Sequence, residues 1–533
     1  MMDVLWVIIG LVVFAFVMGL LVLVHEGGHF LVAKKSGILC HEFSIGMGPI
    51  IYQKKKGETV YSIRAFPIGG FVSMAGEEIE ENILKDVKKV RLVLDKNNRV
   101  EKIIVNLANQ KYKNLPEYEL GKYDLIGTKD ALPDELYLEV KEGEEYVRYI
   151  VNRDCLVNFE KTTEIQIAPY DRNFVNKPLL NRFLSVLAGP VMNLVLAVVI
   201  FFFIGLFTGY ADENNTKIGG VTVVENSNNT LVKGDVITAV NGIKVENWDE
   251  LSKALNSFEN ANGPIRVSVD GKDDILINPS VFVYSIEMAF IVDGTNLPIV
   301  GSYSSNNTET KAYKSGLREG DLITKIVAKD AALEGANVTK SGIVEFFNSD
   351  TFVEGQEVEI YFTRNNEPQN VTIEVYSEIL LGTQGIPKSK IQLGIECATK
   401  FDLLKLIYMP FVQTGESFTM IFKTLGALFT DSSVGVDDLS GPVGIFDLLK
   451  NATKNGTLFT WAAIISVNLG FMNLIPLPAL DGGRLAFMVY EGITRRKPNA
   501  KVENIIHSIG FILLMGLMLY VTFNDVLRCI GCK

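Results

Sequence analysis

Four stretches of the chain are apolar enough and long enough to cross a membrane. Residues 4–24, 183–211 and 456–480 contain no charged side chain, and residues 505–524 contain one ionisable side chain, that of His507. Each stretch has about the 20 residues that an α-helix needs to span the hydrocarbon core of a bilayer. The pattern therefore predicts a multi-pass α-helical membrane protein with four transmembrane helices.

A cleaved signal peptide is the alternative for the first stretch. That stretch lacks a basic leader and a small-residue cleavage site, so we interpret it as a permanent span. Lysines follow it at residues 34–35 and 54–56, and basic residues at 495–497 separate the third and fourth spans. The positive-inside rule then predicts that the N-terminus and residues 212–455 lie outside the cell and that the other two connections are cytoplasmic.

Between the predicted spans, shorter patterns indicate β-structure and a surface helix. Residues 38–76 alternate apolar and polar positions and contain several glycines, which predicts a small hairpin sheet. Its polarity is low, so we expect it to dip into the membrane against other parts of the protein. Residues 77–178 mix charges with strand-like pieces and predict a cytoplasmic α+β insertion. Residues 401–430 are apolar with isolated polar positions, which favours an amphipathic helix at the membrane surface.

A sequence repeat lies within the large outer segment. Gly-Asp-Val-Ile-Thr occurs at residues 234–238, and Gly-Asp-Leu-Ile-Thr occurs at residues 320–324. Each copy places a tight turn before an apolar strand. The pattern resembles PDZ domains, which bind extended peptides by adding them to a sheet edge. We therefore expect two extracytoplasmic PDZ-like domains, at 212–285 and 286–400; two β-modules that act only as spacers are the alternative.

The end of the first predicted span carries the sequence His25-Glu26-Gly27-Gly28-His29. Two histidines four residues apart lie on one face of a helix, so both imidazoles can bind one Zn²⁺ ion while the glutamate acts on water. Zinc lowers the pKa of bound water to about 7, which suits peptide hydrolysis at neutral pH. Ionisable residues at the end of an apolar span indicate function by default, and polar residues that merely snorkel to the interface are the alternative.

A catalytic zinc ion usually has three protein ligands and one open position, so a third ligand is needed. Asp481 is the strongest candidate, because Pro476 and Pro478 break the third span just before it and two glycines follow it. A carboxylate at such a break can reach across to the first span. The alternatives are His41, in the predicted hairpin, and His507, at the start of the fourth span, or an Asp481 that is only an ordinary helix-terminal residue.

Charge and cysteine content add little to this picture. The formal net charge of −11 gives no indication of nucleic-acid binding. Cys529 and Cys532 form a C-x-x-C pair, but no further zinc ligands lie near them in the sequence. We expect a local disulfide or two idle thiols there.

Taken in order along the chain, these motifs resemble the site-2 protease family of intramembrane zinc metalloproteases, in its bacterial regulator-of-sigma-E protease type with PDZ domains. The matching residues cover most of the chain and are His25, Glu26 and His29, Gly46 and Gly48, Arg64 to Gly70, Ala188 to Asn193, Ser440 to Ile445, and Asn473 to Arg484. The insertion at 77–178 departs from the shorter members of the family, and its role stays unknown.

The resemblance implies roles for individual residues. It implies that His25, His29 and Asp481 bind Zn²⁺, that Glu26 is the catalytic acid and base, and that Asn473 assists substrate binding. The glycine, proline and asparagine of the 188–193 motif are expected to serve close helix packing.

The same resemblance implies that the protein is an intramembrane zinc metalloendopeptidase of the bacterial cell membrane. Its partners are the lipid bilayer and membrane proteins, such as anti-sigma factors or remnant signal peptides, that are cut within their transmembrane segments. The hairpin would hold an unwound substrate by strand addition, and the PDZ-like domains would bind peptide termini and exclude untrimmed substrates. The active site is expected within the membrane, toward its cytoplasmic side.

The predicted fold class combines four transmembrane helices, a membrane-associated β-hairpin sheet, a cytoplasmic α+β insertion and two PDZ-like domains. The predicted domains, in chain order, are 1–36 (first transmembrane helix), 37–76 (hairpin region), 77–178 (insertion), 179–211 (second transmembrane helix), 212–285 and 286–400 (PDZ-like domains), 401–452 (amphipathic surface helix and linker), 453–493 (third transmembrane helix with the Leu-Asp-Gly-Gly motif) and 494–533 (fourth transmembrane helix and tail).

Two other classes of function compete with this hypothesis. A membrane scaffold with a vestigial metal site would not need an intact set of His25, Glu26, His29 and Asp481, and a metal assay distinguishes it from an enzyme. A transporter or channel is disfavoured by the four spans, the lack of an evident inverted repeat and the large outer segment.

Overall fold

The computed structural model of the protein describes most of the chain. The described residues are 2–77, 84–85, 87–127, 136–159, 164–222, 229–291, 295–301, 310–349, 352, 356–376, 381, 386–430 and 440–529. The chain divides into two compact units, of which the first comprises Met1–Ile200 with Ser440–Lys533 and the second comprises Phe201–Leu439.

Long apolar helices dominate the first unit, and the described residues of the second unit contain three short α-helices and one long helix, α6. In chain order the helices are α1 (Met2–Lys35), α2 (Leu179–Thr208), α3 (Trp248–Leu255), α4 (Lys311–Ser315), α5 (Lys340–Asn348), α6 (Leu403–Thr430), α7 (Pro442–Lys454), α8 (Leu458–Leu474), α9 (Asp481–Thr494) and α10 (Ala500–Cys529).

Three helices of the described residues are long and apolar enough to cross a membrane, and they lie in α1, α2 and α10. Helix α8, in the third predicted span, has 17 residues. It is therefore roughly 26 Å long at 1.5 Å per residue, a little shorter than the ~30 Å hydrocarbon core. Pro476 and Pro478 follow the end of α8 and cannot donate backbone hydrogen bonds. The expectation of four complete spans therefore stays a prediction for this segment.

The strands fall into several sheets. In chain order they are β1 (Cys40–Lys56), β2 (Thr59–Met74), β3 (Lys89–Leu94), β4 (Val100–Ile104), β5 (Tyr118–Asp124), β6 (Tyr137–Glu142), β7 (Glu145–Asn158), β8 (Glu164–Gln166), β9 (Tyr210–Ala211), β10 (Ile218–Val221), β11 (Ile237–Val240), β12 (Ile243–Lys244), β13 (Ile265–Val269), β14 (Ile275–Ile277), β15 (Ser280–Val283), β16 (Met288–Phe290), β17 (Val300–Gly301), β18 (Leu322–Val327), β19 (Ala332–Glu334), β20 (Glu357–Arg364), β21 (Glu367–Glu374), β22 (Ser389–Gln392), β23 (Ile395–Cys397) and β24 (Thr399–Lys400).

Strands β1 and β2 occupy the segment in which a hairpin sheet was expected. They pair antiparallel with several bulges, so that residues 42–45 of β1 lie between residues 60–63 and residues 70–73 of β2. Buried side chains of this sheet, such as Phe43 and Val72, belong to the same core cluster as residues of α1, α2 and α9. The hairpin is thereby packed on the helices that carry the candidate site.

The insertion after the hairpin is a β-structure. Strands β3 to β8 form a six-stranded sheet in the order β4-β3-β5-β6-β7-β8, and a parallel pairing of β4 with β7 closes it. Alternate side chains such as Leu138 and Val140 are fully buried in its core. The described residues between 77 and 178 contain short 3₁₀-helices but no α-helix. The helical part of the predicted α+β insertion is therefore wrong for them, because period-two alternation governs these segments.

The second unit contains two β-modules with the same topology. Strands β12-β11-β13-β14 form one antiparallel sheet, and strands β19-β18-β20-β21 form the other. In both modules a short helix, α3 or α5, connects the second strand to the third. The repeated Gly-Asp-x-Ile-Thr segment leads into the central strand each time, β11 in the first module and β18 in the second. The sequence repeat thus corresponds to a structural repeat.

The carboxylate of the repeated segment has the same role in both modules. Asp235 accepts a hydrogen bond from the backbone N–H of Val232, three residues earlier, and Asp321 accepts one from Arg318 in the same way. Each carboxylate is buried and also pairs with a basic residue of its module, Lys272 in the first case and Arg364 in the second.

After the second module, the chain returns to pair with strands that precede that module. Strand β15 pairs with β16 on one side and with β22 on the other, and β23 pairs with β10. The domain boundary predicted at 285/286 therefore falls inside the β15–β16 hairpin. Buried residues of both modules form one continuous hydrophobic cluster, so the two modules share a core.

Helix α6 follows the modules and exposes much of its apolar surface. Phe411, Phe422 and Phe429 are each more than half exposed, as expected for a helix that contacts a membrane or another protein.

Of the two cysteines near the C-terminus, Cys532 lies outside the described residues, so the expectation of a disulfide or two idle thiols stays a prediction.

Candidate metal centre

The two histidines of the first helix point to one place. His25 and His29 lie on α1, and both are less than a tenth exposed. Because they are four residues apart, their side chains lie one turn apart on the same helix face. Their Nε2 atoms are 3.3 Å apart.

Asp481 reaches the histidines from the other end of the chain. It is the first residue of α9, directly after the proline-containing break that follows α8. Its Oδ2 atom lies 3.2 Å from Nε2 of His25 and 3.3 Å from Nε2 of His29. Among the described residues, these three form a group whose side chains could hold a metal ion.

The spacing of the three atoms fits zinc. Ligand atoms 2.0–2.1 Å from a tetrahedral Zn²⁺ ion are roughly 3.3 Å apart. The three observed separations are 3.3, 3.2 and 3.3 Å. Two imidazoles and one carboxylate are also a common donor set of catalytic zinc sites.

The surroundings of His29 fix its proton in the form that a metal requires. Nδ1 of His29 lies 2.8 Å from the backbone carbonyl oxygen of Ser185 on α2. A carbonyl can only accept a hydrogen bond, so Nδ1 carries the ring proton and Nε2 keeps a free lone pair. Nε2 is the atom that faces Asp481.

Asn193 orients His25 in a similar way. Its side-chain amide nitrogen lies 3.1 Å from Nδ1 of His25, while its Oδ1 is buried with no hydrogen-bond partner among the described residues. A His25 ring that binds metal through Nε2 carries its proton on Nδ1. The carboxamide of Asn193 accepts that proton when it turns Oδ1 toward the ring.

From the sequence, Asn193 was expected only to serve helix packing, so this contact was missed. The position of Asn193 in the 188–193 motif was the only feature of the sequence that could have indicated a role at the site. A second contact anchors it, because Ser466 on α8 donates a hydrogen bond to its backbone carbonyl. The side-chain contact of Asn193 with His25 could not be read from the sequence, because it depends on the rotation of two helices.

Glycines let α1 and α2 approach closely enough for these contacts. A Cβ atom on Gly28 would lie 2.4 Å from the carbonyl oxygen of Ala188, and one on Gly189 would lie 2.2 Å from Nε2 of His29. Both distances are far below van der Waals contact. The expected close packing at the 188–193 motif is therefore found where the two helices meet beside the histidines.

A cavity of about 690 Å³ is lined by His25, His29 and Asp481. Glu26, Asn473 and residues 69–74 of β2 contribute to its wall. Strand β2 lies directly against the glutamate, since a Cβ atom on Gly70 would be 3.0 Å from Cγ of Glu26. The two residues predicted for catalysis and substrate binding thus share one cavity with the ligand group.

The two alternative candidates, His41 and His507, do not join His25, His29 and Asp481 in the group that could hold a metal ion. His41, on β1, lines the same cavity but is not part of the group of three. His507, on α10, accepts a hydrogen bond from the backbone N–H of Ala479 instead. Arg484, which the sequence analysis left without a role, also lines the cavity and pairs with Glu77.

Comparison with known proteins agrees with this chemistry. Residues 13–517 match the family described as peptidase family M50. The chain is 32% identical over 525 residues to the zinc metalloprotease RasP of Shouchella clausii, a match that covers 97% of this chain and 98% of that protein. It is also 32% identical over 518 residues to the zinc metalloprotease RasP of Geobacillus kaustophilus, covering 96% of each chain.

A third relative is the regulator of sigma-W protease RasP of Bacillus subtilis, which is 31% identical over 527 residues, covering 97% of this chain and 98% of that protein. The family match and the first two relatives each extend over nearly the whole chain. The chain is a membrane protein that belongs to peptidase family M50, the site-2 protease family, and it is a zinc metalloprotease.

Proposed function

We propose that this zinc metalloprotease is an intramembrane endopeptidase that cuts the transmembrane segments of other membrane proteins. The observation that carries the proposal is the convergence of two imidazoles and one carboxylate at zinc-ligand spacing among apolar helices. His25 and His29 lie within the candidate span Val4–Lys35, and the residues that orient them lie within the candidate span Leu179–Thr208.

In this proposal His25, His29 and Asp481 hold the metal ion, and Glu26 transfers protons. When bound, Zn²⁺ supplies Lewis-acid polarisation of the scissile carbonyl. Glu26 takes a proton from the attacking water and passes it to the leaving amine. Asn473, on the same cavity wall, assists the binding of the substrate.

The edge of β2 is the proposed seat for the substrate backbone. Residues 70–74 pair with β1 on one side, and among the described residues no strand pairs with their other side. The same residues line the cavity. A transmembrane helix protects its peptide bonds by internal hydrogen bonds, so the substrate must unwind before cleavage. An unwound segment can regain backbone hydrogen bonds by adding to this free edge.

The catalytic assignment is tested with Glu26→Gln. The variant should bind zinc with unchanged stoichiometry, because the glutamate is not one of the proposed ligands. It should lose at least about 10²-fold in the cleavage of a transmembrane test substrate in detergent, because the proton transfer is removed. The matched variant Asp481→Asn should lose zinc as well. Cleavage by Glu26→Gln at the wild-type rate would reject the assignment.

Substrates are proposed to be membrane-anchored regulators such as anti-sigma factors, or remnant signal peptides. One relative is named as a regulator of sigma-W protease, which supports the first class. Comparative membrane proteomics of cells with the wild-type protein or the Glu26→Gln variant should reveal membrane stubs that accumulate only in the variant. Equal fragment patterns in the two strains would contradict the proposal.

The two β-modules are proposed to be PDZ-like domains outside the cytoplasm that exclude untrimmed substrates. Their shared topology and their repeated turn support a common peptide-binding role. Strand β9 pairs with β24, so that Ala211 lies opposite Thr399. Residues 212–398 can therefore be replaced by a short linker. This deletion should let the enzyme cut substrates that keep their outer domains, and unchanged selection would contradict the role.

The orientation follows from the basic residues near the spans and is also a proposal. Protease added to intact cells should cut within residues 201–439 and spare the sheet formed by β3 to β8. The reverse pattern would contradict the orientation.

A further inference from the structure

A histidine on the last helix holds the loop that carries Asp481. Nδ1 of His507 accepts a hydrogen bond from the backbone N–H of Ala479 at 2.9 Å. Ala479 lies two residues before Asp481 in the break between α8 and α9. Because a backbone N–H can only donate, Nδ1 of His507 is the unprotonated ring nitrogen.

Ala479 is a residue whose conformation needs support. Its φ of +73° lies in the left-handed region, which a residue with a Cβ atom rarely adopts unless its surroundings impose it. This conformation turns the chain just before α9 begins. The hydrogen bond from its amide to His507 connects the turn to α10.

Helix α10 also makes a close packing contact with the loop. A Cβ atom on Gly510 would lie 2.3 Å from Cβ of Pro478, so helix and loop are in direct contact. On the other side, the ring of Phe487 packs against His507 with 5.7 Å between the ring centroids. The loop therefore packs directly on α10, and α9 packs on the same histidine.

We infer that His507 is a positioning residue for the metal centre. It holds Ala479 in the left-handed conformation. It thereby keeps the Asp481 carboxylate close enough to both histidines for the three side chains to bind one metal ion. This inference rests on the proposed function, because it assumes that Asp481 binds the metal. His507 itself is not among the three residues that converge on the site.

The test compares two substitutions of His507 in the full-length chain in detergent. His507→Leu removes the acceptor and keeps a side chain of related bulk. His507→Asn keeps an acceptor, because Oδ1 of asparagine takes a position close to that of Nδ1 of histidine. Zinc affinity is measured by chelator competition, and the geometry of the site is measured from the visible spectrum of the Co²⁺-substituted protein.

The leucine variant should bind zinc about tenfold more weakly, the scale on which residues that orient ligands act. Its cobalt spectrum should also change. The asparagine variant should remain close to the wild type in both measurements. A leucine variant with wild-type affinity and spectrum would overturn the inference. Equal losses in the two variants would also overturn it, because the hydrogen bond would then not be the cause.

Gly510→Ala gives a second test that leaves His507 unchanged. The added methyl group would push against Pro478, so zinc affinity should fall as it does in His507→Leu. A Gly510→Ala variant with wild-type affinity and spectrum would overturn the role of α10. An Asp481→Asn variant that binds zinc as tightly as the wild type would instead reject the proposed ligand set, and the two failures are therefore distinguishable.

Discussion

The metal centre and the repeated turns of the second unit use glycine and aspartate in opposite ways. At the metal centre, Asp481 meets two histidines from the far end of the chain, and Gly28 and Gly189 are crowded by atoms of another helix. In the modules, each aspartate accepts a hydrogen bond from the backbone N–H of the residue three positions earlier. A Cβ atom added to Gly234 or Gly320 would meet nothing within 4 Å, but these glycines have φ values of +101° and +92°.

This difference shows two separate reasons for the presence of glycine. In the modules, glycine permits a backbone conformation, so a substitution there strains one local turn. At the metal centre, glycine permits close approach, so a substitution there moves a helix and the ligands on it. Zinc binding should therefore be far more sensitive to a methyl group added where α1 meets α2 than to one added at the turns of the modules.

The largest effect is expected from Gly189→Ala. The new methyl group would lie 2.2 Å from Nε2 of His29, so α1 and α2 must separate and the ligand triangle must open. We expect a loss of zinc binding of at least about 10²-fold, measured by metal analysis after chelator competition.

Gly27→Ala is the control, because Gly27 lies between the two histidines on α1 and a Cβ atom there would meet nothing within 4 Å. It should keep its zinc and its activity. If both alanine variants retained zinc, the close approach of the two helices would not be needed for the metal site.

A smaller effect is expected from Asn193→Leu. The substitution keeps the volume of the side chain but removes the group that contacts Nδ1 of His25. Residues that orient a metal ligand typically contribute 10–100-fold to metal affinity, and we expect zinc to bind about 10-fold more weakly. Ser466→Ala, which removes a hydrogen bond to the backbone of Asn193 only, should change the affinity little. A leucine variant with wild-type affinity would reduce Asn193 to a packing residue.

The same contrast explains which features the sequence could predict. His25 and His29 share a helix face by their spacing, and the repeated Gly-Asp turns are closed by residues three positions apart, so local rules were enough. Asp481 was favoured over His41 and His507 as the third ligand, because proline and glycine mark the break beside it, and its metal-binding role stays a prediction. The resemblance to a known family, rather than spacing, joined it to the histidines.

Other features depend on contacts that no local pattern encodes. The contact of Asn193 with His25 and that of His507 with Ala479 join elements far apart in the chain. The insertion at 77–178 was expected to contain helices as well as strands, because its mixed composition hides the alternation of apolar and polar residues in its strands. The boundary at 285/286 was placed by assuming that each domain is a continuous segment, whereas β22 and β23 pair with β15 and β10, which precede the second module.

Substitutions in the modules should affect local stability and spare the metal. Asp321 is 1% exposed and receives two hydrogen bonds from Arg364. Asp321→Ala should lower the free energy of unfolding of the second unit by about 2 kcal/mol, the typical contribution of hydrogen bonds to a charged group. Limited proteolysis of residues 201–439 as a function of temperature measures this change, and the zinc content should not alter.

Asp235→Ala provides the comparison within the same architecture. Its carboxylate is paired with Lys272, a side chain that is more exposed than Arg364, so solvent screens the pair more strongly. We expect a smaller loss of stability than for Asp321→Ala. A loss of zinc from either variant would show that the modules and the metal centre are not independent.

The smallest expected effect is a dependence on pH that arises in the first module. The hydrogen bond from Lys272 holds the pKa of Asp235 below its usual value. A carboxylate with a lowered pKa contributes stability that is fully present above the pKa of the unfolded chain, about 3.9. That contribution declines as the pH falls below about 4 and through the lower pKa of the folded state. The wild type and Asp235→Asn should therefore differ in the midpoint of proteolytic unfolding at pH 6 and converge toward pH 3, and a constant difference across this range would mean that the charge of Asp235 does not stabilise the turn.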